Sequence, residues 1–440
     1  MARHLELGRR APWLLLLAAA GCSDDDTHAP PPPTYYADVK PILDGRCADC
    51  HSEGNIGPFA LTDYASALEN KDGVADIVET REMPPWSAVP GNRDYKFDPT
   101  LTDEQIATVR AWADAGAPEG DPADEGEPLA PVSHPLSRVD RTVSMPLAYT
   151  PTLAPDEYRC FIIDWPETAT TFITGFEAIP GNPKIDHHIA AYLVSPDNPL
   201  GQTAFDVLAD LDTQDPEPGY KCFGGPAGDA GIPIPAQQIG QWVPGQGGGD
   251  FPDGTGIEVP AGSKVVLQMH YSLPNGNDQM ASDMSQISFK VDSSVAHPAA
   301  FAPWLDAGWV AGGMEIPAHQ KDVRHSKQDD PRNFFSDFIG SVDTTDGFRI
   351  YGVMLHMHKL GRGGTVTLIH EDKTEETLLA IEDWQFNWQR HYTFAEPVDF
   401  KPGDELRVEC IWDNNTDKDV NWGEGTVDEM CVGNLYISAL

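Results

Sequence analysis

The sequence predicts a mainly β protein, two tandem antiparallel β-sandwiches preceded by a small all-α domain. Three observations lead there. Short runs of alternating apolar and polar residues, at 171–178, 263–273, 349–358, 364–370 and 405–412, are punctuated by Gly, Pro, Asn and Asp. Residues 35–117 carry helix signals instead. And 440 residues, 40% of them hydrophobic, suffice for two to four domains with real cores.

At the N-terminus, Arg9 and Arg10 precede the apolar stretch Ala11 to Ala20, which is too short for a permanent bilayer span. It ends in Ala19-Ala20-Gly21-Cys22, similar to a bacterial lipoprotein cleavage box, with Ala19 where Leu is usual. Residues 1–21 are therefore expected to be a lipoprotein signal peptide, with Cys22 lipidated. That places the protein in a bacterial cell envelope, lipid-anchored on the periplasmic or cell-surface side. Residues 22–34 are Pro-rich and suit a stiff tether. In the helical region, Thr102-Asp103-Glu104-Gln105 is a capping box. Ile106, Val109 and Trp112 follow at helical spacing, and Gly116 and Pro118 end the helix. Residues 118–135, rich in Pro, Asp and Glu, read as a linker; the two sandwiches then occupy 136–295 and 296–440. In the second of the runs, Val266, Gln268 and His270 share one face.

The charge is lopsided, with 69 acidic against 29 basic residues, a formal −40. No Lys/Arg cluster exists to neutralise phosphates, so nucleic acid is excluded as a partner. The acidity implies a strongly solvated surface that repels anionic membranes, leaving membrane contact to the lipid alone.

Cys47-Ala48-Asp49-Cys50-His51 is the c-type haem attachment signature. Two thiols three positions apart can both add to the vinyl groups of one porphyrin, and the adjacent His reaches the iron. One covalent haem c on Cys47 and Cys50 with His51 proximal is expected. Met83, in the Pro-rich Arg81-Glu82-Met83-Pro84-Pro85-Trp86, is the expected second axial ligand. The segment resembles class I cytochrome c domains fused to exported bacterial oxidoreductases. Of seven cysteines, one for lipid and two for haem leave Cys160, Cys222, Cys410 and Cys431. Four cysteines allow three connectivities; pairing within domains gives Cys160–Cys222 and Cys410–Cys431, each stabilising by about 3–4 kcal/mol on the loop-entropy account.

Further along, His187-His188, His270, the pair His356 and His358, and Met430 stand out. His356 and His358, two apart on an apparent strand, point to one face and can chelate one metal. A thioether beside them makes a soft N₂S set that suits copper more than zinc or magnesium. His187 and His188 are adjacent, so a regular strand would splay them; both reach one metal only at a strand end or bulge. With His270 they would form an N₃ set. The other histidines, His391 among them, are expected at the surface or in structural roles.

Taken in order, His187-His188, Gln268-Met269-His270-Tyr271, His356-Met357-His358-Lys359-Leu360-Gly361 and Asp428-Glu429-Met430-Cys431 followed by Asn434-Leu435-Tyr436 are similar to the copper type II, ascorbate-dependent monooxygenases. This is the peptidylglycine α-hydroxylating and dopamine β-monooxygenase-like family. The resemblance spans about residues 140–440. It implies two jelly-roll-like β-sandwich copper domains facing across a wet cleft. His187, His188 and His270 would hold the electron-storing copper. His356, His358 and Met430 would form the catalytic, O₂-binding copper site. It also implies the Cys410–Cys431 disulfide. Two departures bear on substrate. The peptide-hydroxylating members carry an Arg two residues before His-x-His, where Met354 stands here, and Val432-Gly433 is inserted after Cys431. The expected reaction is C–H hydroxylation of an organic substrate not named by the sequence, R–H + O₂ + 2e⁻ + 2H⁺ → R–OH + H₂O. Its electrons would come from ascorbate or from a periplasmic donor through the haem. A non-catalytic exported electron-transfer or copper-holding protein, and a carbohydrate- or partner-binding sandwich with incidental histidines, are the competing readings.

Overall fold

The computed structural model describes residues 31–440 apart from 131, 133–134, 229–233, 244–245, 274–279 and 424. The expected signal peptide and the expected lipidation site Cys22 lie outside the described residues. Among the described residues, no helix is long and apolar enough to cross a membrane.

The helical region packs Lys40–Arg46, Tyr64–Glu79 and Asp103–Asp114 around Tyr35, Leu43, Val74, Val109 and Trp112. The capping box is formed: the Thr102 hydroxyl accepts from the Gln105 N–H at 3.2 Å, and the Gln105 side chain accepts from the Thr102 N–H at 2.9 Å. Two orphan donors are thereby satisfied, which fixes where the last helix starts.

The rest is β-rich. A five-stranded sheet contains Asp156–Asp164, Lys264–Ser272 and Asp186–Val194 as neighbours. A four-stranded sheet contains Val323–Asp329, Glu405–Trp412, Gly361–Ile369 and Glu375–Ile381. A nine-stranded sheet runs through both halves and backs each of these. Its halves meet where His297 and Pro298 pair in parallel with Thr255 and Gly256. Two apolar cores result. One, around Phe161, Ile189, Leu267 and Phe289, lies between the five-stranded sheet and the first half of the long one. The other, around Trp304, Val353, Val408 and Trp412, lies between the four-stranded sheet and the second half. All five alternating runs are strands, at Thr171–Ile179, Lys264–Ser272, Phe348–His356, Gly361–Ile369 and Glu405–Trp412. In Lys264–Ser272, Val265, Leu267, Met269 and Tyr271 fill the core, so His270 is on the opposite face.

The helical region is not a detached body. After Met83, the chain from Trp86 to Lys96 docks on the second sandwich. Val89 N–H donates to Ala380 O at 2.9 Å and Lys96 N–H to Thr393 O at 2.8 Å. Trp86 and Tyr95 pack edge-on or tilted against Tyr392, with ring centroids 4.9 and 5.3 Å away. Aromatic packing and backbone hydrogen bonds of this segment thus hold the helical region to the second sandwich.

Both expected disulfides are present, Cys160–Cys222 and Cys410–Cys431, with Cα separations of 5.7 and 5.8 Å. Closing the 21-residue separation of the second constrains the unfolded chain by about 3 kcal/mol. The double variant Cys410→Ser/Cys431→Ser should therefore lose about 3 kcal/mol in urea denaturation followed by tryptophan fluorescence; an unchanged midpoint would refute this.

Candidate metal centres

The first histidine set depends on a bulge. Strand Asp186–Val194 pairs Asp186 with Tyr271 and His188 with His270, and the register slips between them. His187 is the extra residue, so it turns toward the same side as His188. The ring nitrogens of His187, His188 and His270 come within 4.8 Å of one another. His270 Nε2 lies 3.0 Å from Asp156 Oδ1 and donates to it, which leaves Nδ1 as a lone pair. His187 Nε2 donates to Asn387 Oδ1 at 3.2 Å, leaving its Nδ1 likewise bare. The two Nδ1 atoms face each other at 3.3 Å, and the buried His188 Nε2 has no hydrogen-bond partner. Facing lone pairs and an orphaned nitrogen are what a cation between the rings would satisfy. The donor set therefore fits copper. Tyr158 stacks on His270 at 4.1 Å and 11°, locking the ring.

The second set sits where two antiparallel neighbours end. Strand Phe348–His356 pairs with Val432–Ala439, His356 opposite Val432. Continuing that register two residues sets His358 opposite Met430. Met357, between the histidines, is buried in the second core, so both rings leave on the other face. Their centroids are 5.1 Å apart. His358 Nδ1 donates to Asp428 O at 3.1 Å. His356 Nδ1 donates to Gln389 Oε1, whose orientation is fixed because Gln389 Nε2 donates to Phe386 O at 2.9 Å. Both Nε2 atoms are thereby freed. Met430 is nearly buried, and the Glu429 carboxylate before it accepts from His358 N at 2.8 Å, Leu360 N at 2.6 Å and Trp412 Nε1 at 2.9 Å. This clamp ties the His358 turn to the Met430 segment. Burial pushes the Glu429 carboxyl up to about 7, although its three N–H donors favour the carboxylate.

Burial holds the candidate ligands neutral. It lowers His187 to about 4, with His270 adding to the shift, and lowers His356 to about 3, with His358 adding. His188, His270 and His358 are also lowered, chiefly by burial. Neutral imidazole is the metal-binding form. The two sets approach each other: the Phe386 ring lies 5.5 Å from His187, 6.3 Å from His188 and 6.2 Å from His358.

In the helical region, Cys47 and Cys50 are free thiols. His51 Nδ1 donates to Phe59 O at 3.0 Å, leaving Nε2 for a ligand. A Cβ on Gly57 would meet Cys50 O at 2.7 Å and His51 Nδ1 at 2.8 Å, so the turn after the motif closes tightly on it. These residues fit a covalent haem. Met83 is half-buried; Pro84, Pro85 and Trp86 beside it share with Cys50 the wall of a cavity of about 1210 Å³.

Sequence reasoning did not single out Asp156, Phe386, Asn387, Gln389 or the clamp made by Glu429. His391 is structural rather than superficial. Its Nε2 is buried without a partner, its ring meets Phe301 edge-on at 5.7 Å, and burial lowers it to about 4.

In the unfolded chain these histidines titrate near 6.5. Between there and about 4, the unfolded state binds protons that the folded state does not. The histidines' share of the metal-free chain's stability is thus fully present above about pH 6.5 and is lost as pH falls toward 4. The loss is partly offset by Asp186 and Glu429, whose carboxyls, raised by burial to about 8 and about 7, add stability as pH falls. Each of His187, His356 and His391 contributes at most about 1.4 kcal/mol per pH unit inside that window. Urea midpoints at pH 7, 6 and 5 should fall in that order, and less steeply in His391→Leu. Identical slopes in the two chains would rule out a neutral, buried His391.

Residues 309–438 match the family model described as copper type II ascorbate-dependent monooxygenase, C-terminal domain. DBH-like monooxygenase protein 1 of Homo sapiens is 24% identical over 230 residues, covering 50% of this chain and 36% of that protein. The Mus musculus protein of the same name is 26% identical over 262 residues, covering 58% and 39%. The matched stretch is thus under two fifths of those relatives' length. Among solved structures, recombinant N-glycanase F (PNGase F) is 9% identical with a TM-score of 0.29, covering 68% of this chain and 96% of that one, too distant to bear on the fold. The chain is thus similar to the C-terminal domain of copper type II ascorbate-dependent monooxygenases over residues 309–438, and to DBH-like monooxygenase proteins over about half of its length.

Proposed function

We propose that this protein is an exported, lipid-anchored copper monooxygenase that hydroxylates a C–H bond with O₂, with electrons delivered through its fused c-type haem. The observation that carries the reading is the pairing of two histidine sets, each with bare ring nitrogens, on two sandwiches that meet around Phe386. His187, His188 and His270 would hold the electron-storing copper, and His356, His358 and Met430 the copper at which O₂ reacts. Copper bound there supplies O₂ activation and one-electron chemistry. Cys47, Cys50 and His51, with Met83, would hold a haem that supplies one-electron transfer. The family implies O₂ and ascorbate as partners.

The chain's own residues prepare both centres. Asp156 takes the Nε2 proton of His270 as a hydrogen bond and fixes that ring's tautomer. Gln389 and the Asp428 carbonyl do the same for His356 and His358, at Nδ1. Glu429 anchors the turn that carries His358. The 1210 Å³ cavity offers room for an organic substrate; Phe301, Tyr351, Met354 and Tyr436 are in its wall. Met354, two residues before His356, has its Sδ held by Gln241 Nε2 at 2.9 Å. That part of the wall presents a thioether and an amide, which suits an uncharged substrate group, while Arg46, Lys96 and Arg390 line other parts of the same cavity. The Ser52–Ala60 segment after the haem motif lines one cavity of about 670 Å³ together with His187 and Asn387. The haem-bearing segment and the electron-storing set are therefore neighbours, and covalent linkage raises their effective concentration further.

Metal and haem analysis tests this directly. The chain from residue 23 onward, matured with haem and loaded with copper, should hold two coppers and one haem. Met430→Ala and His356→Ala should each lose one copper under reducing conditions. O₂ uptake by the wild-type chain should rise with an oxidisable C–H compound. One haem and no tightly held copper would overturn the catalytic reading and leave a cytochrome attached to a binding module.

A further inference from the structure

One histidine of each set, His187 and His356, is oriented by the same loop. The chain from Glu382 to His391 joins strands Glu375–Ile381 and Tyr392–Phe400 and has no helix or strand of its own. It belongs to the second sandwich by sequence and is anchored there: Trp384 Nε1–H donates to His358 O and Trp384 N–H to Arg362 O, at 2.9 and 2.8 Å. Yet Asn387 Oδ1 accepts from His187 of the first sandwich, 200 residues away. Phe386 stacks on His187 at 27° and meets His358 at 88°. Gln389 completes the chain of contacts. Its amide nitrogen donates to the Phe386 carbonyl while its amide oxygen accepts from His356. Both ends of one rigid, buried amide are thereby engaged. Any movement of the Phe386–Asn387 peptide that follows His187 must shift the acceptor of His356.

We infer that this loop is a shared positioning element: Asn387 and Phe386 orient the first histidine set, Gln389 orients the second, and a change at either set is transmitted to the other. The inference rests on the copper reading above for what the sets hold, but the mechanical link needs only the residues named. Its consequence is coupled metal affinity. Filling the first set fixes His187, hence Asn387 and Phe386, hence Gln389 and His356, so that each copper binds more tightly when the other is in place.

The test uses the full haem-bearing chain. Cu(I) affinities of both centres are measured by competition with a chromophoric chelator, and X-ray absorption marks the sulfur-bearing one. Asn387→Ala should weaken the first centre about tenfold and Gln389→Ala the second by about as much, as for other residues that orient a metal's histidines. Each should also weaken the opposite centre about threefold, and the double variant should fall short of the product of the singles. Phe386→Leu, which keeps an apolar side chain in the loop, should weaken both. Ring-nitrogen NMR of the metal-free chain gives a readout without copper: Asn387→Ala should move the signals of His356 as well as those of His187. If Asn387→Ala alters only the first centre and His187, Gln389→Ala only the second and His356, and the effects multiply, the loop is two independent supports and the inference is overturned. If the wild-type chain holds fewer than two coppers, the copper reading fails, and the NMR result alone upholds or overturns the link between the rings.

Discussion

The geometry of both centres depends on one sheet being continuous through two sandwiches. Where His297 and Pro298 pair with Thr255 and Gly256, the strand that opens the second sandwich is hydrogen-bonded to a strand of the first. Polar contacts across the junction reinforce it: Tyr436 donates to Thr255 at 3.1 Å, Asn434 to Gln238 at 2.8 Å and Thr426 to Asp156 at 3.1 Å. Two sandwiches joined by a flexible linker alone would be free to reorient. Here a shared backbone ladder limits that freedom, and histidines on separate cores arrive within one aromatic ring of each other.

The two centres reach similar donor chemistry by opposite local routes. In the first, a bulge brings two consecutive residues to one side, and outward hydrogen bonds from Nε2 of His187 and His270 turn Nδ1 inward. In the second, ordinary alternation at a strand end aligns His356 with His358, and hydrogen bonds from Nδ1 turn Nε2 inward. Desolvation keeps every ring neutral in both. Asp156 carries a charge beside the first set, its carboxyl lowered chiefly by the His270 hydrogen bond, whereas a neutral amide serves the second.

Much of this was legible in the sequence because it rests on local periodicity. The five alternating runs, the capping box at Thr102, the face shared by Val266, Gln268 and His270, and the need for a bulge at His187-His188 follow from side-chain spacing, and the structure has them. The disulfide partners followed from counting cysteines by domain. Asp156, Asn387 and Gln389 were not legible. Each acts at a distance of tens to hundreds of residues, from a position whose neighbours carry no periodic signal, and an Asn-Trp-Gln loop reads like any other connection. The docking of Trp86 and Tyr95 on the second sandwich was hidden for the same reason: an aromatic in a Pro-rich stretch does not announce its partner.

That docking has a consequence for the sheet edges of the second sandwich. The strands Glu375–Ile381 and Tyr392–Phe400 are each the last in their sheet. The segment 88–96 bridges to both, at Ala88 with Ile381 and at Tyr95 with Phe394, and Ala395 N–H donates to Asp94 O at 3.0 Å. It works as a lateral cover, occupying backbone groups that would otherwise be open to strands of another molecule. The helical region thus does more than carry a candidate haem. Excising it would uncover two sheet margins on one flank of the second sandwich, leaving their edge strands open to pairing with another copy of the chain.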